Sequence, residues 1–181
     1  MAKTLKIGSI GLGRLGYEHA KNIANYVTGA ELTAICDMDA ARVAEVAQEL
    51  NVPYTYTDVA EMVKNPELDA IVVVSPSMYH AEHIKLVLDA GKHCFCEKPL
   101  DTSIENCKLA EKAVEAHPDK VFALGFMRRF DPDYRKIKAI LDSGELGKPL
   151  MAHCISRTRS HPKNHTTEQH ITNIAIHEID I

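Results

Sequence analysis

The chain lacks tryptophan, has only 6% aromatic residues, and contains neither a long apolar run nor a block of like charge nor a Cys-x-x-Cys pair. Each absence excludes something. The longest purely apolar stretch is about Ala70 to Val74, far below the roughly 20 residues that a membrane-spanning helix needs, so no membrane partner is expected. The N-terminal Met1–Lys6 runs straight into a strand pattern, without the apolar core and small-residue cleavage site of a secretory signal, which reads as cytoplasmic. A formal net charge of −4 and a pI near 6.2 leave no basic footprint for nucleic acid. Five cysteines (Cys36, Cys94, Cys96, Cys107, Cys154) are an odd number in a chain of this kind and read as reduced, buried thiols rather than disulfides or redox centres.

What is present is a globular composition, 45% hydrophobic and 25% charged, laid out as short apolar runs alternating with stretches at helical spacing. Strands are expected at Leu5–Ile10, Glu31–Cys36, Ala70–Val74, His93–Cys96 and Val121–Gly125, with a weaker one at Tyr54–Thr57. Helices are expected at Leu15–Tyr26, Ala40–Leu50, Val59–Lys64, Tyr79–Ala90 and Ser103–Ala116. Thr102-Ser103-Ile104-Glu105 reads as a capping box led by Thr102. Asp131-Pro132 opens a further helix, Pro132 to Ser143, that Gly144 stops. The fold class is therefore α/β: an N-terminal Rossmann doubly wound parallel sheet over residues 1–125, followed over 126–181 by the start of an α+β substrate domain. In that second part Leu150–Ser156 reads as a strand, Arg157–Gln169 as a polar loop, and Ile171, Ile174 and Ile179 as a helix. About 60 residues are too few to bury an independent core comfortably, so the chain is expected to end inside this second domain.

Gly11-Leu12-Gly13-Arg14-Leu15-Gly16 follows the first strand and opens the first helix, and Asp37 closes the next strand. In that context Gly11 permits the tight turn, Gly13 lets the backbone approach a diphosphate, and Gly16 allows close helix packing. The exposed amides at the helix start, including those of Arg14 and Leu15, hold the anion. Asp37 is expected to accept from the adenosine ribose and to repel the extra phosphate of NADP, making NAD the cofactor. Against this, Asp37 also fits a plain turn in Asp37-Met38-Asp39, and Arg14 or Arg42 offers a phosphate partner. Ser75-Pro76, ending the third strand, would set backbone groups beside the adenosine half of the cofactor.

Four further motifs stand in order. Gly91–Leu100 contains Glu97-Lys98-Pro99, and it is followed by Gly125–Asp131, by Ser143–Pro149, and by Ile176-His177-Glu178-Ile179-Asp180. Together they resemble the Gfo/Idh/MocA (glucose–fructose oxidoreductase/inositol dehydrogenase) family, and most of all its inositol-dehydrogenase branch through Gly125–Arg129, Pro149–Cys154 and His177–Asp180. The resemblance implies an NAD-dependent oxidoreductase acting on a secondary alcohol of a cyclitol or sugar, and a full-length form that assembles as a dimer or tetramer. It implies cofactor contacts from Glu97 and Lys98. Lys98 is the catalytic amine that orients the hydroxyl, and His177 is the proton acceptor, whose ordinary pKa suits that task.

Where the branch carries an aspartate, this chain has Asn173, four residues before His177 and so on the same helix face. Asn hydrogen-bonds a hydroxyl but holds neither charge nor proton. Either His177 works without a carboxylate partner, or the substrate differs from myo-inositol and is another cyclitol, sugar or ketosugar, or activity is low; a catalytically incomplete nucleotide-binding fragment is a separate alternative. The scattered histidines lack metal-ligand spacing, and no metal is expected. Arg128, His153, Arg157 and His165 are instead read as polar lining for a polyol or sugar.

Overall fold

The computed structural model describes residues 3–157 and 166–180. The chain divides into two compact units, residues 1–125 and 126–181. The first is a six-stranded sheet in the order β3-β2-β1-β4-β5-β6, all of its pairings parallel. Its strands are β1 (Leu5–Ile10), β2 (Ala30–Cys36), β3 (Tyr54–Tyr56), β4 (Ala70–Val73), β5 (His93–Cys96) and β6 (Phe122–Leu124). The helices are α1 (Arg14–Asn25), α2 (Ala40–Leu50), α3 (Val59–Met62), α4 (His80–Asp89) and α5 (Ile104–Ala116). A 3-10 turn, Ser77–Tyr79, leads into α4.

Both faces of the sheet are covered, which is why its central strands are nearly continuous apolar runs rather than alternating ones. On one face Leu12, Ala20, Leu32, Ile35, Val43 and Val46 join α1 and α2 to the sheet. On the other, Ile10, Ala34, Ile71, Val73, Ile84, Val87, Ala110 and Ala113 join α4 and α5 to it. The β1–β2 register shifts between Ile7 and Gly8, which leaves buried Thr33 as an extra residue between Leu32 and Ala34. That bulge resets the alternation, so Leu32 and Ile35 serve one core while Ala34 and Cys36 serve the other. All five cysteines are free. Burial pushes the thiols of Cys36 and Cys94 up to about 12, leaving them inert.

The capping of α5 differs from the expected box. Ser103, not Thr102, is the N-cap: its hydroxyl accepts from the Asn106 amide and donates to Glu105. Behind it stands Asp101, only 5% exposed, whose carboxylate accepts from the amides of Thr102 (2.7 Å), Ser103 (3.0 Å) and Ala81 (3.4 Å) and from Asn106 Nδ2 (3.2 Å). One buried acid thus ties the start of α4 to the start of α5.

The second unit begins with a 3-10 turn, Met127–Phe130, and α6 (Pro132–Asp142), capped by Asp131 through the amides of Asp133 and Tyr134. Gly144, at φ 72°, follows as the stop. Leu150–Ser156 is not a strand. Strand backbone needs a neighbour for its amides and carbonyls, and no other strand lies among the described residues of this unit. The final helical stretch starts earlier than its isoleucines suggest, as α7 (Thr167–His170), a π turn (Ile171–Ala175) and α8 (Ile176–Ile179).

Replacing Asp101 by Ala leaves buried amides without their acceptor and should cost about 2–4 kcal/mol in urea denaturation, whereas Ser103→Ala should cost about 1 kcal/mol. Equal effects of the two changes would contradict the role given to Asp101.

Candidate cofactor and catalytic site

Strand order reverses between β1 and β4, so the loops leaving their carboxyl ends part in opposite directions and open a crevice of about 750 Å³. Gly11, Gly13, Arg14, Leu15 and Gly16 line it, together with Asp37, Ser75, Pro76, Tyr79 and His83. The three glycines do different work. Gly11 has φ +90°, and a Cβ there would lie 2.6 Å from the Val74 oxygen; one on Gly16 would lie 2.0 Å from the Gly11 oxygen. Around Gly13 a Cβ would meet nothing within 4 Å, which is the open space that a diphosphate requires. Gly13 is also the N-cap of α1, and no side chain caps its amides or places an acid in the first turn. Those donors and the helix dipole face the crevice.

Asp37 is both a turn residue and a crevice residue. Its carboxylate accepts from the Leu12 amide at 2.6 Å and from the Asp39 amide at 3.0 Å, and the remaining lone pairs are available to a ribose. Arg42 does not offer a free cation to a phosphate: it donates to the Leu12 carbonyl (3.2 Å), pairs with Glu45 (2.7 Å) and lies over the Tyr17 ring. Across the crevice, Ser75 Oγ and His83 Nδ1 share a 2.9 Å hydrogen bond, and Tyr79 stacks on His83. Burial pushes the His83 pKa down, so its ring is neutral there.

Glu97 and Lys98 follow β5 and are not among the residues lining this crevice. The Glu97 carboxylate accepts from His19 Nε2 on α1 at 2.9 Å and from the Lys98 amide at 3.2 Å. It therefore shapes the backbone that carries Lys98. Lys98 is half-buried, precedes a cis peptide bond to Pro99, and has its amine pKa lowered by that burial. His19 was not legible as a site residue. Its signal is position alone, three residues after Gly16 and so on the same helix face.

In the second unit, Arg128 does not present a free guanidinium to substrate. It pairs with Glu178, NH1 to Oε2 and NH2 to Oε1 both at 2.5 Å, and its guanidinium lies over the Tyr134 ring. Arg129 holds Asp180 in a similar bidentate manner. These pairs hold the segment just after half-buried His177 and join two of the sequence motifs, 125–131 and 176–180. The backbone of Asn173 lies in the π turn preceding His177. His153 and Arg157 are exposed, in a segment without regular structure, and His165 lies outside the described residues. Among the described residues no group of three or more His, Cys, Asp or Glu is arranged to hold a metal ion.

Residues 5–125 match the family model described as the Gfo/Idh/MocA oxidoreductase family, NAD-binding Rossmann fold. The chain belongs to this family. Its first unit is accordingly the family's NAD-binding domain. Among curated relatives, inositol 2-dehydrogenase 3 of Saccharopolyspora erythraea is 39% identical over 177 residues, covering 98% of this chain and 52% of the relative. The inositol 2-dehydrogenase of Pseudomonas fluorescens is 34% identical, covering 98% and 53%. Among solved structures, myo-inositol dehydrogenase of Lactobacillus casei in complex with NAD(H) and myo-inositol superposes with a TM-score of 0.87 at 33% identity, over 98% of this chain and 52% of that one. The scyllo-inositol dehydrogenase of the same organism, with NAD(H) and scyllo-inositol, gives 0.78 at 42% identity over 80% and 43%. The chain spans about half the length of the curated relatives it matches.

Gly16→Ala should lower stability by about 1–3 kcal/mol, because backbone meets the new methyl, and should abolish NAD binding. By contrast, Gly13→Ala should keep stability within about 1 kcal/mol in thermal unfolding while weakening NAD binding about tenfold or more in calorimetry. Arg128→Met should reduce hydrogen-exchange protection of the Ile176–Asp180 amides about tenfold. Arg128 holds the Glu178 carboxyl below its ordinary 4.5, so the pair's support is complete above that pH and is lost as pH falls through the lowered folded value. In the parent chain, protection of these amides should therefore fall only in acid, and in the variant it should already be low at neutral pH.

Proposed function

We propose that the chain forms the cofactor-binding and catalytic part of an NAD-dependent dehydrogenase acting on a secondary alcohol of a cyclitol, most closely an inositol. The observation that carries this reading is the placement of Lys98 directly after β5, fixed through Glu97 and His19, in a chain 39% identical to an inositol 2-dehydrogenase. The crevice suits NAD: Gly13 leaves room, the first amides of α1 supply donors, and Asp37 is an acceptor for ribose hydroxyls and repels a 2′-phosphate. Ser75 and Pro76 form its opposite rim. When bound, NAD supplies the hydride acceptor, nicotinamide C4.

The chain's own residues do the rest. Lys98 donates to the substrate hydroxyl oxygen and stabilises alkoxide character there, and its lowered pKa lets the amine pass a proton onward. His177 accepts the hydroxyl proton. Arg128 and Arg129 hold its segment through Glu178 and Asp180, which makes Arg128 a support for the acceptor in place of the substrate contact expected from its motif. Residues 126–181 contribute to the substrate side of the site, with His153, Arg157 and His165 supplying polar contacts. The enzyme is cytoplasmic and homo-oligomeric, and no helix among the described residues is long and apolar enough to cross a membrane.

Asn173 favours a second reading, in which the substrate is a different cyclitol, a sugar or a ketosugar. NADH formation over a panel of inositols and sugars separates the two, and absence of turnover with every member, alongside normal NAD binding, would defeat both. Lys98→Met should lower turnover about 10²- to 10⁴-fold with NAD affinity little changed. Asn173→Asp should raise myo-inositol oxidation about tenfold if the first reading holds, by restoring a carboxylate four residues before His177 in the chain.

A further inference from the structure

His80 opens α4 and is 1% exposed. Its ring spans two backbone carbonyls from separate parts of the first unit. Nε2 lies 2.8 Å from the oxygen of Ser75, on the crevice rim, and Nδ1 lies 2.7 Å from the oxygen of Pro99, one residue beyond Lys98. A carbonyl oxygen accepts and never donates, whereas a neutral imidazole has a single N–H. Contacts this short on both sides need two N–H groups. With one, a ring lone pair would face a carbonyl lone pair in a buried position, where such opposition is costly.

The segment after β5 brings buried Asp101, whose carboxylate accepts from the amide of Ala81, the residue next to His80. That segment also carries Glu97, engaged by His19, and the half-buried Lys98. On α4 itself, Glu82 is exposed, and His83 is held neutral by burial while bonded to Ser75 Oγ. From α5, Cys107 reaches the Asp101 carbonyl. The 74–79 turn contributes no charged side chain. Two acids, Asp101 and the exposed Glu82, therefore adjoin the start of α4, and the nearest histidine adds no competing charge.

We propose that His80 is a positioning residue, a buried imidazolium that fastens the backbone bearing Lys98 to the rim of the cofactor crevice. The clamp sets how far the amine stands from the cofactor seat, and it rests on the reading of Lys98 as the hydroxyl-orienting amine.

The ring is read directly by long-range proton–nitrogen correlation on the ¹⁵N-labelled chain. Both His80 nitrogens should carry protons. A single protonated nitrogen overturns the proposal. The second reading is the titration of the Lys98 amine, followed at its ¹³Cε and assigned with Lys98→Met. In His80→Gln it should move toward the ordinary lysine range by about half a unit or more, with NAD affinity within about threefold of the parent chain. An unmoved Lys98 titration in a folded variant overturns the positioning role, and a variant that loses NAD binding in parallel assigns His80 to general stability instead. If neither His80→Gln nor His80→Asn folds, the ring measurement on the parent chain decides alone. Neither measurement uses turnover, so failure of the dehydrogenase reading would show separately in the substrate panel.

Discussion

The seat of α1 on the end of β1 is the contact on which the rest of the cofactor site depends. With Gly16 against the Gly11 carbonyl, there is no room for even a methyl group between helix and turn. That approach aims the uncapped amides of the first turn into the crevice, and it brings His19, one turn on, within reach of Glu97. A looser helix start would blunt the anion site and release the carboxylate that braces the Lys98 backbone. A single steric constraint thus governs both the shape of the cofactor crevice and the setting of Lys98.

The sheet supplies the second constraint. Its order reverses between β1 and β4, so the crevice exists because of topology and not because of any particular side chain. The sheet also has to feed two cores of different make-up. The bulge at Thr33 lets β2 do this by switching which face each side chain serves partway along the strand.

Much of this was legible in the sequence. Leu5–Ile10, Ala40–Leu50 and His93–Cys96 lie where the apolar pattern puts them, and the glycine spacing identified the loop with its context. Those features are local, written in consecutive residues. What was not legible is held by partners distant in sequence. The Leu150–Ser156 pattern has strand character but no neighbour among the described residues, and Arg128 is held by Glu178, fifty residues on, a partner that no local motif announces. Thr102 fitted a capping box by type, but Asp101 takes its amide, and the cap passes to Ser103. His80 gave no signal because both of its partners are backbone oxygens.

Asp37 carries a further consequence for how readily this chain could change its cofactor. The carboxylate proposed to discriminate between the two nicotinamide cofactors is also the acceptor for the Leu12 amide, and Arg42, the nearby candidate for an added phosphate, is tied to the Leu12 carbonyl. Cofactor preference and loop shape are therefore inherited as one trait. A lineage drifting toward the phosphorylated cofactor has to rebuild the Leu12 turn in the same step, which places the switch several coordinated changes away and makes the present preference hard to reverse by single substitutions.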